Sequence, residues 1–155
     1  MFLTVHATAG ALLGTFTNSP TLAFALGVIS HAVLDIIPHG DETIFLRPTQ
    51  REYIVTLIRA TIVDGIVMCA VLAFVLRPDR AVPSPTVIAG IIGGILPDII
   101  HGTNNFLPSV RWLQAFKRFH HRIHSGIIRS RGTVWGGMAR QCLVLATLIA
   151  ILAHR

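Results

Sequence analysis

Apolar residues fall in five runs, at residues 3–17, 21–37, 51–76, 85–96 and 133–153. Each of the first four is closed by turn-forming or helix-breaking residues: Asn18-Ser19-Pro20, Pro38, Arg77-Pro78-Asp79 and Pro97. None alternates with the period of two that marks a half-buried strand, so the runs predict helices. Crossing roughly 30 Å of hydrocarbon takes about 20 apolar residues. The third and fifth runs reach that length, although Arg59, Asp64 and Arg140 interrupt them. The first, second and fourth are shorter and are expected to be tilted, partly embedded or buried. Between the fourth and fifth runs lies a polar, basic stretch, 103–132, in which 109–119 has the pattern of an amphipathic interfacial helix. The expectation is one all-α domain over 1–155: a compact bundle of about five membrane-embedded helices plus a short interfacial helix. Segments 1–40 and 51–102 both close on Asp and His, which suggests a repeated hairpin.

Composition sharpens this picture. Apolar side chains make up 52% of the chain and charged ones 13%, about half the charge of a typical soluble domain. With a mean hydropathy of +0.66, an ordinary water-facing domain and a disordered chain are both excluded. Cys69 and Cys142 sit singly in apolar runs, with no sign of a disulfide framework or a thiolate metal site. Ala23-Phe24-Ala25 resembles a signal-cleavage site, but no Lys or Arg precedes the apolar run, which argues against a cleaved leader.

The net charge of +6 is uneven. Residues 1–98 hold five Lys/Arg and seven Asp/Glu, giving −2, whereas 99–155 hold eight Lys/Arg and no acid, giving +8. Nucleic acid could use such a stretch, with Trp112, Phe116 and Phe119 as stacking partners. The simpler reading is a basic loop at the cytoplasmic membrane face, with membrane lipid rather than nucleic acid as partner.

Ionisable groups in apolar helices are costly, so each is a candidate for function. His31 and Asp35 are four apart and share a helix face, with His39 one turn on. Asp98 and His101 are three apart at the end of the fourth run. His6 opens the first run, and His120, His121 and His124 cluster in the basic stretch. If the first four runs alternate up and down, His6, His31, Asp35, His39, Asp98 and His101 all fall at one end of the bundle, where the basic stretch begins. His and Asp are ligand types for zinc and similar divalent ions. One ligand from the adjacent His120 and His121 is expected rather than two. Asp64 lies mid-run, either as a ligand or as a buried ion pair with Arg59 or Arg140. Gly10 and Gly14, and Gly90 and Gly94, have the spacing that lets helices pack closely.

Several of these motifs carry a family resemblance. Leu96-Pro97-Asp98-Ile-Ile-His101 resembles the Leu-Pro-Asp-x-Asp-His motif of the LexA-binding, inner-membrane-associated hydrolases (YdjM-like), with Ile100 in place of the second Asp. His121-Arg122-Ile-His124-Ser125 is similar to that family's His-Arg-x-x-Thr-His-Ser, one residue shorter. Ser30-His31-Ala-Val-Leu-Asp35 resembles its Ser-His-x-x-x-Asp, here placed before the Pro-Asp motif rather than last, and His6 matches an early histidine.

The family is grouped with zinc-dependent phospholipase C-like hydrolases, all-helical proteins that bind clustered metal ions through His and Asp. The resemblance implies a membrane-bound metal-dependent hydrolase of the inner membrane, multi-pass, with its site facing the cytoplasm. It would be a phosphoesterase acting on a lipid or other amphiphile with one or more zinc ions. The implied metal ligands are His6, His31, Asp35, Asp98, His101 and His124, with Asp64 in addition. His121 is ligand or general base, Arg122 steadies a phosphate, and Ser125 orients a ligand. Two other classes use the same residues: a metal-ion or proton transporter, and a non-enzymatic scaffold that binds a partner through the basic loop.

Overall fold

A computed structural model describes residues 1–39, 49–76, 83–126 and 133–154. The described residues form six helices and no strand: α1 (Leu3–Gly14), α2 (Pro20–Asp35), α3 (Gln50–Leu76), α4 (Pro85–Thr103), α5 (Arg111–Gly126) and α6 (Val134–Ala153). The all-α expectation holds. Three helices, α3, α4 and α6, are long and apolar enough to cross a membrane, whereas α1 and α2 are shorter apolar helices. The residues reserved for a basic loop contain a sixth helix, α5, longer than the 109–119 segment that the sequence suggested.

Local chemistry sets the helix starts. Ser19, Ser84 and Thr133 precede α2, α4 and α6, and their hydroxyls accept from Leu22 N, Val87 N and Gly136 N. Pro20 and Pro85 then occupy the first turn, where no amide partner is needed. α1 has no such side chain of its own. Asp64 of α3 takes that role instead, accepting from Leu3 N at 2.5 Å and Thr4 N at 3.3 Å.

The fourth apolar run does not end at Pro97. α4 continues through it to Thr103, with Pro97 buried inside the helix. Proline removes the amide that would bond the carbonyl four residues back. Apolar helices tolerate this where neighbouring helices satisfy the freed backbone, and the adjacent Gly94 carbonyl lies 2.8 Å from His31 Nδ1 on α2.

α1, α2 and α4 form the centre of the bundle. Their crossing is built on glycine. A Cβ at Gly10 or Gly27 would collide with the Gly90 carbonyl, and one at Gly94 with the His6 carbonyl. The three backbones therefore meet almost directly. α3 and α6 pack on the outside of α1, and α5 lies across α4 and α2. No residue of α3 is buried, and Ile62, Ile66 and Phe74 are among its exposed side chains. Such an apolar exterior is what a lipid-facing helix shows.

Helix directions follow from two sets of contacts. Asp64 meets the start of α1, while Leu72, Val75 and Leu76 pack against a cluster of Ala11, Leu12, Val87 and Leu152 at its other end. α1 thus runs parallel to the second half of α3, and α4 runs back toward the start of α1. The start of α1 and the ends of α2 and α4 share one end of the central bundle.

Candidate metal centre

At that end, side chains from α2, α4 and α5 converge. His31 and Asp35 occupy successive turns on the inner face of α2, Asp98 follows Pro97 on α4, and His120 lies on the buried face of α5. Four atoms, one from each residue, lie within 4.8 Å of one another. His31 Nε2 is 3.0 Å from Asp35 Oδ2, 3.1 Å from His120 Nε2 and 3.7 Å from Asp98 Oδ1. His120 Nε2 is 3.4 Å from the same Asp35 oxygen and 3.7 Å from the same Asp98 oxygen.

These separations bear directly on metal binding. Ligand atoms about 2.0–2.2 Å from a tetrahedral zinc are roughly 3.3–3.6 Å from one another. Five of the six separations among these atoms bracket that range and all six lie within 4.8 Å, so the group could hold a divalent ion. The tautomer fits as well. A carbonyl oxygen cannot donate, so His31 Nδ1 carries the hydrogen it gives to Gly94 O at 2.8 Å. With a cation in the group, His31 would be neutral and turn a lone pair on Nε2 toward it, beside two carboxylate oxygens and a second imidazole. Lone pairs facing one another in a buried pocket repel unless protons or a cation lie between them. Holding the outer nitrogen of a ligating histidine on a carbonyl is also how metal sites fix the ring.

The remaining carboxylate oxygens face the other way. Asp35 Oδ1 is 3.2 Å from His6 Nε2 on α1, and Asp98 Oδ2 is 3.9 Å from that nitrogen. His6 is fully buried and its ring stacks on His31 with centroids 4.0 Å apart. The Met1 amino group donates to Asp35 Oδ1 at 2.6 Å and lies 3.0 Å from Nε2 of His39, just beyond α2. Gln141 of α6 ties this layer down, accepting from Phe2 N at 2.8 Å and donating to His39 O at 3.1 Å. Burial of the four converging side chains is uneven. His31, Asp35 and His120 are 2%, 1% and 7% exposed, Asp98 24%. Access to the group is therefore past Asp98.

Of the sequence candidates, His6, His31, Asp35 and Asp98 are brought together. His101 stands one shell out, its ring centroid 4.8 Å from that of His120. Asp64 sits apart from the group. It pairs with neither Arg59 nor Arg140 in the contacts the structure shows, and instead caps α1 through Leu3 N, Thr4 N and the Thr4 hydroxyl. His121 and Arg122 are exposed on α5, and His121 borders a cavity beside the group rather than entering it. The side chains of His124 and Ser125 lie outside the described residues.

Among the described side chains of α5, His120 and not His121 joins the group. The signal was present in the phase of the helix: Leu113 and His120, seven apart and both buried, repeat on one face, and His121 is turned about 100° away.

Beside the group lies a cavity of about 610 Å³. Its lining includes Tyr53, Leu57, Thr61 and Asp64 of α3, Asp98, Ile99 and His101 of α4, Phe106, and His120 and His121 of α5. The chain matches no known family model, no curated protein and no solved structure.

Proposed function

We propose that this chain is a membrane-bound, metal-dependent hydrolase, a phosphoesterase whose substrate is a lipid or another amphiphile. The observation that carries the reading is the meeting of four acceptor atoms from three helices, at spacings that suit a divalent ion. Two imidazoles and two carboxylates favour zinc among the biological divalent cations. Bound there, a divalent ion would acidify water as the nucleophile and polarise a phosphoryl or carbonyl oxygen.

The chain's own residues divide the remaining work. His31, Asp35, Asp98 and His120 would hold the ion. The Gly94 carbonyl orients His31. His121, exposed on the cavity wall, is the group best placed to accept a proton from water at the rim. Arg122, exposed one residue on, can meet a phosphate from the solvent side. The basic character of α5 and its flanks supports a cytoplasmic orientation under the positive-inside rule, and the inner-membrane location and YdjM-like kinship rest on the motif resemblance alone.

Metal analysis of the purified protein tests this reading. Wild type is expected to carry close to one equivalent or more of a divalent metal, lost in His31→Ala and in Asp98→Ala. A metal-free wild-type protein that remains helical and monodisperse would overturn it.

A further inference from the structure

α5 has three faces, and the bundle uses one of them. Leu113 and His120 share the face turned to α2 and α4, and both are buried. At about 100° per residue, Trp112 and Phe119 lie roughly a quarter-turn to one side, where they are 62% and 60% exposed. Arg111 and Arg118 lie on the back of the helix, with Arg122 one turn further, all exposed. α5 holds no acidic residue. His121 points away from Trp112 and Phe119 and borders the cavity. The α3 residues of that cavity, Tyr53, Leu57 and Thr61, precede Asp64, which meets the start of α1. The cavity therefore lies on the outer side of the metal-binding group, and the two aromatic rings turn the other way, toward the apolar middle of the bundle. α3 and α6 supply a level for the membrane surface. Asp64 and Gln141 both meet the first residues of α1. Arg59 stands five residues before Asp64, and Trp135 six before Gln141. Both side chains are exposed, on two separate candidate spans, about 8–9 Å beyond the start of α1. Trp and Arg at matching heights are the residue types that gather at a bilayer interface.

We propose that α5 lies in the membrane interface and binds anionic phospholipid there, with Trp112 and Phe119 in the acyl–glycerol layer and Arg111 and Arg118 on headgroup phosphates. A helix of this kind sinks about 5–10 Å below the headgroups, which is the distance between the level of Arg59 and Trp135 and the group that α5 covers. Charge selects the lipid: four Lys/Arg and no acid on one helix favour anionic over zwitterionic headgroups. Single-stranded nucleic acid uses the same residue types, but its bases would have to reach rings that face the middle of the bundle. The proposal does not depend on the hydrolase reading. It adds that the helix supplying His120 on its inner face is held by lipid on its outer faces.

The test is fluorescence quenching of Trp112 by brominated lipid, with the full-length protein in phosphatidylcholine nanodiscs. Trp135→Phe leaves Trp112 as the single tryptophan. At equal mole fraction, phosphatidylglycerol brominated near the top of its acyl chains is expected to quench Trp112 at least about two-fold more than phosphatidylcholine brominated at the same position. High salt should bring the two lipids to parity, and so should the added pair Arg111→Gln and Arg118→Gln. Equal quenching by the two lipids at low salt, or no quenching by either, overturns the proposal before any arginine is changed, so a variant that misfolds cannot rescue it. A preference that survives both the arginine substitutions and high salt also overturns it. Absence of the preference, together with binding of a single-stranded oligonucleotide that the arginine substitutions weaken, would assign this surface to nucleic acid instead.

Discussion

Asp64 and His120 show what one residue's position along a helix decides. Asp64 looks like a ligand by type, yet its carboxylate is engaged by two backbone amides and a hydroxyl of α1. Losing such a cap costs about 1–2 kcal/mol, so Asp64→Ala should lower the thermal midpoint and leave bound metal unchanged. His120→Ala should do the opposite, removing metal with little change in helicity, because a buried imidazole of the group is lost. His121→Ala should keep the metal, since its ring is exposed. Metal stoichiometry and melting followed by circular dichroism on the three variants check the series. The chain shows His6, His31, Asp35 and Asp98 as candidates because each stands alone against an apolar background. It does not show that Asp64 would be consumed by a helix start sixty residues earlier, because that hydrogen bond is tertiary. His120 could have been separated from His121 by phasing α5 on Leu113.

Helix identities were legible because each apolar run ends on proline, glycine or polar residues and three begin on a Ser or Thr cap. Pro97 was misleading. Read alone it ends a helix, but packing of α4 against α2 and α5 carries the helix six residues further, which is what brings Asp98 to the group and His101 beside His120. The glycines of α1, α2 and α4 do the complementary work of letting those helices approach. Gly90→Ala would push a methyl into the Gly10 carbonyl, and Gly10→Ala the converse. Overpacking of this kind costs about 1–3 kcal/mol, and here it also spreads the helices that hold His6, Asp35 and Asp98. At Gly65 on α3 an added methyl would meet nothing within 4 Å, so Gly65→Ala should be neutral or gain up to about 1 kcal/mol from helix propensity. Denaturation in detergent should rank the variants with Gly65→Ala at or above wild type and Gly90→Ala lowest.

The arrangement of the bundle also bears on the proposed hydrolase and on its rival, a carrier of ions. A transporter needs a polar route that continues from the cation-binding group to the other face of the membrane. Here the route is shut immediately beyond His6. The Gly10, Gly27 and Gly90 backbones touch, leaving no lumen between α1, α2 and α4. Below that crossing Ala11, Leu12, Val87 and Leu152 form a buried apolar cluster, flanked by Leu72, Val75, Leu76, Ile91 and Leu148. An ion moving past them would lose every ligand and enter hydrocarbon, at a cost of tens of kcal/mol before relaxation. The opening past Asp98 lies on the same side as the group, which suits a reactant that arrives and leaves by one door. Proteoliposomes loaded with a zinc-sensitive dye should therefore show no influx above protein-free vesicles, at neutral pH or with an imposed proton gradient. Influx that depends on wild-type His31 would reverse the assignment, since it would require the Gly10–Gly90 contact to part during transport.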